Sequence, residues 1–218
     1  MRTKICGITR PEDAEAAALA GAWAVGLNHW EGSPRRVEHD AAEEIGTLLK
    51  RRCEVVGVFV NASLDEVARA AEREQLTMVQ FHGDEGQAFI REAARRTGCR
   101  TIKAHRVRSQ AEVRGASAFG ADFDLFDAHR TRSPGGTGES FDWELIAGRR
   151  QDTPAILAGG LSAANVAAAI AAGRPDAVDV ATGVELEPGI KSEELIAEFI
   201  AEANRAGVLL NPAQEVEA

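Results

Sequence analysis

The sequence is poor in the features that mark several classes of protein. Its three cysteines, Cys6, Cys53 and Cys99, are odd in number and far apart, so they suit neither a disulfide framework nor a CxxC metal motif, and we expect free thiols. The 25 Lys and Arg residues are outnumbered by 34 Asp and Glu, and the net charge of -9 argues against a nucleic-acid partner. No apolar run approaches the roughly 18 residues of a membrane helix, and no leader-like segment follows Met1. We therefore expect a cytoplasmic protein that binds neither nucleic acid nor membrane.

The chain instead shows a regular alternation of short, β-branched apolar runs with Ala-rich or charged amphipathic stretches. This pattern predicts βαβ units, and it is repeated eight times. The predicted strands are Thr3 to Cys6, Ala22 to Leu27, Glu54 to Val60, Met78 to Phe81, Thr101 to Ala104, Phe123 to Phe126, Ala155 to Ala158 and Ala177 to Val180. Eight units without a Pro/Ser-rich linker fit a closed barrel better than an open sheet. We predict a single-domain (β/α)8 TIM barrel over residues 1–205 and a solvated tail over residues 206–218.

Helix start signals follow several of these strands. Thr9 is expected to cap the first helix, because Pro11 suits its first turn and Glu12 and Asp13 complement its dipole. Comparable starts are predicted at Ser63, Ser140, Ser162 and Ser192.

Active sites in such barrels lie at the carboxyl ends of the strands, where two groups suited to proton transfer occur. Cys6 ends the first strand and Asp127 ends the sixth, so both should reach the same mouth of the barrel. A thiolate can act as a base and a carboxylic acid as a proton donor, a pair that moves a proton between carbon and oxygen. From spacing alone, a small buried cysteine and a helix-capping aspartate are the favoured readings. Cys53 and Cys99 precede strands and are predicted to be structural.

Two glycine-containing turns follow the seventh and eighth strands. Gly159 and Gly160 form the first, and Thr182 and Gly183 the second. Glycine lets backbone N–H groups approach an anion, and barrels commonly hold a phosphate at this place. The alternative is a pair of tight turns that need positive φ. Two such turns at consecutive strand ends predict a substrate with one phosphate.

Two further loops carry candidate features. Arg35, after the second strand, can form a bidentate pair with a substrate carboxylate or belong to a solvated basic pair. The Gly-rich segment 133–138 fits either a closing lid or a surface loop.

Four histidines fall near strand ends, but no HxH or HExxH spacing links them. We therefore expect no metal site. These histidines are His29, His82, His105 and His129.

Seven motifs occur in order along the chain: KICGITRPED (4–13), SPR (33–35), VGVFVN (56–61), VQFHGD (79–84), GGTGESFDW (135–143), LAGGL (157–161) and VDVATGVE (178–185). Together they resemble the phosphoribosylanthranilate isomerase family of tryptophan biosynthesis, from about residue 3 to residue 203. The opening Lys-Ile-Cys-Gly motif is highly specific.

The resemblance implies an Amadori rearrangement of N-(5-phosphoribosyl)anthranilate to 1-(2-carboxyphenylamino)-1-deoxyribulose 5-phosphate, without a cofactor or a metal. Asp127 stands at the position of the family's general acid and Cys6 at that of its general base. Arg35 would hold the anthranilate carboxylate. The phosphate would be held by Gly159, Gly160, Thr182 and Gly183. Because residues alternate along a strand, Lys4 should share a face with Cys6 and favour its thiolate.

The chain departs from the family pattern at Asn28, His29 and Trp30, where apolar and aromatic residues are usual. This departure keeps open a paralogue that rearranges a different phosphoribosyl N-glycoside. A related imidazole-pathway isomerase is disfavoured, because it would call for an aspartate in place of Cys6. A non-catalytic phosphate-binding barrel is the alternative from a different class.

Overall fold

The computed structural model describes residues 1–107, 109–127, 143–150 and 152–210. Within these ranges, eight parallel strands close into a barrel in chain order, β1 to β8, which confirms the predicted TIM barrel. The strands are β1 (Arg2–Cys6), β2 (Ala24–Asn28), β3 (Glu54–Phe59), β4 (Met78–Phe81), β5 (Arg100–Arg106), β6 (Phe123–Asp127), β7 (Ala155–Ala158) and β8 (Ala177–Val180). All eight predicted strands are present, and β4, β7 and β8 have the predicted bounds.

The helices surround the barrel: α1 (Pro11–Leu19), α2 (His39–Leu48), α3 (Leu64–Arg73), α4 (Gln87–Thr97), α5 (Gln110–Gly115), α6 (Glu144–Ala147), α7 (Val166–Gly173) and α8 (Glu193–Leu210). α8 continues five residues past the boundary expected at 205. None of the described helices combines the length and apolar character needed to cross a membrane. The candidate lid 133–138, His129, the helix start at Ser140 and residues 211–218 of the expected tail lie outside the described residues.

A short antiparallel hairpin follows β8 and was not predicted. It consists of β9 (Glu185–Glu187) and β10 (Ile190–Lys191). Thr9 is tied to this hairpin, since its hydroxyl donates to the Gly189 carbonyl oxygen at 2.6 Å. The expected capping role of Thr9 is therefore wrong: Arg10 occupies the N-cap position of α1 and makes no side-chain cap.

The other described helix starts differ in how well they match expectation. Ser63 caps α3 in a reciprocal capping box with Glu66, as predicted. The Ser192 hydroxyl accepts from the Leu195 N–H at 3.2 Å at the start of α8. α7 begins later than expected, at Val166, because residues 162–165 form a turn closed on the Asn165 side chain.

Two apolar layers stabilise the fold. One lies between the strands and the surrounding helices, and the other fills the barrel interior. Each fully buried Val, Leu or Ile side chain contributes about 1.5–3 kcal/mol. The interior layer contains Ala24, Val56, Met78, Ile102, Ala104, Phe123, Leu125, Ile156, Ala158 and Ala177. The barrel also encloses charged side chains, among them Lys4 and Asp179, on strands β1 and β8 that pair with each other.

Two thiols lie at helix-to-strand junctions, at the end of the barrel where the strands begin. The Cys53 thiol, just before β3, donates to the Ala22 carbonyl at 3.3 Å. The Cys99 thiol, just before β5, donates to the Leu76 carbonyl at 3.1 Å. All three cysteines are free, as predicted.

Candidate active site

A cavity of about 290 Å³ lies at the carboxyl ends of the barrel strands. Six of the seven residues predicted for the site line it, and they come from five different strand ends, so the fold brings together groups that are remote in sequence. These residues are Cys6, Arg35, Asp127, Gly159, Gly160 and Thr182. Gly183 is not among the lining residues.

Cys6 closes β1 in a tightly packed setting. The neighbouring strand has Gly26, where an added Cβ would lie 2.8 Å from Cys6 Sγ and 3.1 Å from Lys4 Nζ. Glycine at this position thus makes room for both side chains. Lys4 Nζ in turn donates to Asp179 Oδ1 at 2.9 Å, and the two side chains are 0% and 9% exposed. Lys4 therefore lies on the same face as Cys6, as predicted.

The ionisation of Cys6 reflects two opposing influences. Burial raises the pKa of the Cys6 thiol, and the charge of Asp179 raises it further, while Lys4 and Lys191 lower it. Burial also lowers the pKa of Lys4, but Asp179 and Cys6 more than offset this and raise it to about 12. Lys4 is thus a fixed cation beside the thiol. It favours the thiolate as expected, yet burial keeps the thiol pKa above its ordinary value.

Lys191 is a part of the site that the sequence analysis missed. Its side chain is fully buried, and its Nζ donates to the carbonyl of Cys6 at 2.7 Å and to that of Ala181 at 3.1 Å. Nζ also contacts Glu185 Oε1 at 2.8 Å. It therefore joins the ends of β1 and β8, and no local pattern around residue 191 indicated this role.

Arg35 is already paired with a protein carboxylate. Its Nε and Nη2 donate to Glu185 at 2.7 to 3.1 Å. Gly7 has φ +74°, and an added Cβ there would lie 2.7 Å from Arg35 Cδ, so glycine is needed for this arrangement. Nη1 has no hydrogen-bond partner among the described residues. Arg35 is therefore a held cation and not part of a solvated basic pair.

Asp127 lies next to a histidine. His82 Nε2 is 3.4 Å from Asp127 Oδ2, and its Nδ1 is 3.2 Å from Gln80 Nε2. In this orientation the Gln80 amide donates to Nδ1, so the hydrogen of the neutral ring is on Nε2 and faces Asp127. His82 and Gln80 both line the cavity but were not predicted as site residues. The position of His82 just after β4 was a usable signal.

The two glycine-containing turns have different backbone conformations. Gly159 and Gly160 have φ of +95° and +65°, a region that favours glycine. Residues Thr182–Val184 instead form a single 3₁₀ turn. An added Cβ at Gly183 would lie 2.0 Å from the Leu161 carbonyl oxygen. Gly183 thus allows the two turns to pack directly against each other, although it does not line the cavity.

The polar segment that begins at the last residue of β2 reaches the cavity through Asn28. Asn28 accepts from the Trp30 N–H at 2.9 Å and donates to Ser33 Oγ at 3.2 Å, and Ser33 Oγ accepts from the Arg35 N–H. Asn28 therefore shapes the loop that carries Arg35. His29 and Trp30 line a separate cleft.

Comparisons with known proteins agree with this geometry. Residues 3–202 match the family model described as N-(5'phosphoribosyl)anthranilate (PRA) isomerase. An N-(5'-phosphoribosyl)anthranilate isomerase from Neisseria meningitidis serogroup B is 44% identical over 207 residues, which are 94% of this chain and 97% of the relative.

Solved structures show the same similarity. The crystal structure of phosphoribosyl anthranilate isomerase from Thermotoga maritima has a TM-score of 0.83 and 37% identity, covering 94% of this chain and 99% of that one. Another structure, in complex with reduced 1-(o-carboxyphenylamino)-1-deoxyribulose 5-phosphate, has a TM-score of 0.81 and 35% identity over the same shares. Each similarity extends over nearly the whole barrel.

Proposed function

Because this chain belongs to the N-(5'-phosphoribosyl)anthranilate isomerase family, we propose that its cavity performs the Amadori rearrangement of tryptophan biosynthesis with Asp127 as acid and Cys6 as base. The substrate is N-(5-phosphoribosyl)anthranilate and the product is 1-(2-carboxyphenylamino)-1-deoxyribulose 5-phosphate. The observation that supports these roles is that Cys6 and Asp127, from β1 and β6, line one cavity together with Arg35 and the glycine turns. A solved relative carries the reduced form of this product.

The two ends of the substrate carry different anions, and the cavity offers a distinct group for each. The turn at Gly159 and Gly160, with Thr182 beside it, presents backbone N–H groups and a hydroxyl that suit the phosphate. Arg35 suits the anthranilate carboxylate, because a guanidinium can donate two parallel hydrogen bonds to it. The carboxylate would accept one hydrogen bond from Nη1 and one from the second hydrogen of Nη2, while Nε and Nη2 stay bound to Glu185.

Ring opening comes first in the reaction. Asp127 donates a proton to the furanose ring oxygen, and the C1–O bond breaks as the anthranilate nitrogen forms a C1=N bond. The product of this step is a protonated Schiff base. His82 Nε2 lies 3.4 Å from Asp127 Oδ2, close enough for His82 to act as a positioning residue for this carboxyl group.

Proton removal from carbon follows. Cys6 as thiolate takes the C2 proton, and the electron pair moves to form C1=C2 and neutralise the nitrogen. The resulting enolamine tautomerises to the C2 ketone as its C2 hydroxyl loses a proton and C1 gains one. Oxidation at C2 and reduction at C1 balance within the molecule, so no cofactor is needed. The Lys4 ammonium stabilises the thiolate, and Asp179 holds Lys4 in place.

The alternatives receive less support from this geometry. The paralogue hypothesis rests on residues 27–30, of which Asn28 lines this cavity, whereas His29 and Trp30 line a different cleft. A barrel without turnover has no chemical need for a base and an acid in one cavity. We further propose that the protein works in the cytoplasm on this small phosphorylated substrate.

The test couples anthranilate phosphoribosyltransferase to this protein, so that the unstable substrate forms in place and its consumption can be followed. We expect turnover by the wild type and a loss of at least about 10²-fold in Cys6→Ala and in Asp127→Ala. Cys99→Ala is the matched control, because it removes a buried thiol at the opposite end of the barrel. Its turnover should equal that of the wild type.

Two outcomes would contradict the proposal. If the wild type binds the substrate without consuming it, the activity is wrong. If the wild type turns it over but Cys6→Ala or Asp127→Ala does so equally well, the activity holds and the assigned acid or base is wrong.

A further inference from the structure

A second cluster of polar side chains lies outside the proposed active site. It consists of His29, which follows β2, His39, the first residue of α2, and Glu74, which caps the carboxyl end of α3. These residues are far apart in sequence, so no short sequence motif indicates this cluster. The fold brings one ligand atom from each to within 4.8 Å of the others.

The distances within the cluster suit a small metal ion. His29 Nε2 is 3.0 Å from Glu74 Oε2, and His39 Nδ1 is 3.7 Å from Glu74 Oε1. Tetrahedral zinc with bonds of about 2.0–2.2 Å holds its ligand atoms about 3.3 Å apart. A central ion therefore needs only small shifts of these side chains.

The Glu74 carboxylate is buried without a hydrogen-bond partner. Glu74 is 0% exposed, and neither of its carboxylate oxygens is hydrogen-bonded. The His29 contact is short but lacks the alignment of a hydrogen bond, and His29 Nε2 is equally unsatisfied. Among the described residues, no Lys or Arg forms an ion pair with Glu74. Buried carboxylates are costly unless they are paired or bind a metal, so a bound cation would satisfy this carboxylate.

Two of the three groups are held firmly. The His29 ring stacks on Phe59 with centroids 4.8 Å apart. An added Cβ at Gly46 in α2 would lie 1.9 Å from the Glu74 carbonyl oxygen, so glycine lets α2 pack directly onto the end of α3. His39 is more exposed and can adjust. A cleft of about 580 Å³ includes all three residues and gives an ion access from solvent.

We propose that His29 Nε2, His39 Nδ1 and the Glu74 carboxylate bind one divalent transition-metal ion of the zinc class. Two imidazoles and one carboxylate are a ligand set that zinc favours, and water can complete the tetrahedron. His29 and His39 bracket the loop that carries Arg35. A bound ion thus ties both ends of this substrate-binding loop to α3.

The experiment measures metal binding directly and needs no enzymatic activity. The full-length protein is stripped with a chelator and titrated with Co²⁺, followed by its visible absorption, and with Zn²⁺ by calorimetry. We expect one equivalent to bind with the visible bands of tetrahedral cobalt. Glu74→Gln and His39→Gln should each weaken binding by at least about 100-fold, because loss of a second-sphere partner alone costs about 10–100-fold.

Glu43→Gln is the matched control. Glu43 lies on the same helix as His39 and pairs with Arg73. Glu43→Gln removes one negative charge, as Glu74→Gln does, so the metal affinity of this variant should stay at the wild-type value. His39 is largely exposed, so His39→Gln is expected to fold. Thermal unfolding of each metal-free variant checks this, and added Zn²⁺ should raise the Tm of the wild type and of Glu43→Gln only.

Three results would overturn the site. Glu74→Gln and His39→Gln could bind metal as tightly as the wild type, or the wild type could bind none. Binding could also be lost in Cys6→Ser but kept in Glu74→Gln, which would assign the ion to the thiol.

Discussion

Both ends of the barrel hold buried or half-buried thiols, but the groups around these thiols differ. At the end where the strands begin, the thiols of Cys53 and Cys99 donate to backbone carbonyl oxygens. At the end where the strands finish, Cys6 lies beside Lys4, which is held by Asp179. Burial raises the pKa of all three thiols. Cys6 is therefore distinguished by the fixed cation next to its sulfur, which opposes the effect of burial on the thiol pKa.

A cation inside the barrel has a structural cost, which its carboxylate partner offsets. Lys4 is fully buried and remains charged because Asp179 is hydrogen-bonded to it. At the opposite end, the thiols of Cys53 and Cys99 donate to carbonyl oxygens, and in the described part of the chain neither is hydrogen-bonded to a charged side chain. The catalytic end thus depends on matched charges, and substitutions that unbalance them should have the largest effects.

The largest effect is expected for Lys4→Met. This substitution leaves Asp179 as an uncompensated buried carboxylate, and breaking a buried pair in this way costs about 3–5 kcal/mol. Urea unfolding at neutral pH measures the change in the free energy of unfolding.

The double variant Lys4→Met with Asp179→Asn is the control for that prediction. It removes both charges, so we expect it to recover most of the lost stability. If the double variant is less stable than Lys4→Met by the full effect of Asp179→Asn alone, the two side chains are not coupled and the account is wrong.

Asp179→Asn alone should make Cys6 more reactive, whereas loss of the Lys4 cation should make it less reactive. The substitution removes a charge that raises the thiol pKa and leaves Lys4 with Cys6 as its remaining anionic partner. Alkylation of Cys6 by iodoacetamide at pH 7 to 8 should become up to about tenfold faster, since one pKa unit is a tenfold change in thiolate. Peptide mass spectrometry gives the rate, with Cys53 in the same sample as the unchanged reference. Slower alkylation of Cys6 would argue against this charge balance.

Arg35→Lys tests the second charge pair of the catalytic end. A lysine cannot reproduce the paired hydrogen bonds of the guanidinium, so we expect KM to rise about tenfold while kcat changes little. Arg36→Lys is the matched control, because Arg36 is the exposed neighbour. A fall in kcat at constant KM would instead assign Arg35 to the chemical step.

Local patterns were sufficient to predict the barrel but not the hairpin. The strands β4, β7 and β8 are short, mostly apolar runs, and their bounds were predicted without error. The hairpin of β9 and β10 has five residues in its strands and depends on Thr9 and on Lys191. These contacts are remote in sequence, and the same contact with Gly189 explains why Thr9 does not cap α1.

The site shows the same division between local and remote information. The fold class predicted that Cys6 and Asp127 lie at one mouth of the barrel, and the resemblance to the family assigned the roles of Cys6, Arg35 and Asp127. Asp179 and Lys191 were missed, because their importance comes from contacts across the barrel that no spacing reveals. Asp179 was nevertheless visible as a carboxylate in a buried strand.

The smallest predicted effect concerns Cys53, at the end without the fixed cation. Burial raises the pKa of its thiol from 9.0 to about 12. Because the thiol pKa is higher in the folded state, the protonated thiol contributes its full stabilisation at pH values below the pKa of the unfolded state. This contribution is lost as the pH rises toward the pKa of the folded state. Between pH 9 and 11 the wild type should therefore lose stability more steeply than Cys53→Ser, by less than about 1.4 kcal/mol per pH unit. The chain has 0 tyrosines, so no phenol titrates in this range, and equal slopes in urea unfolding would show that the thiol is solvated at this end of the barrel.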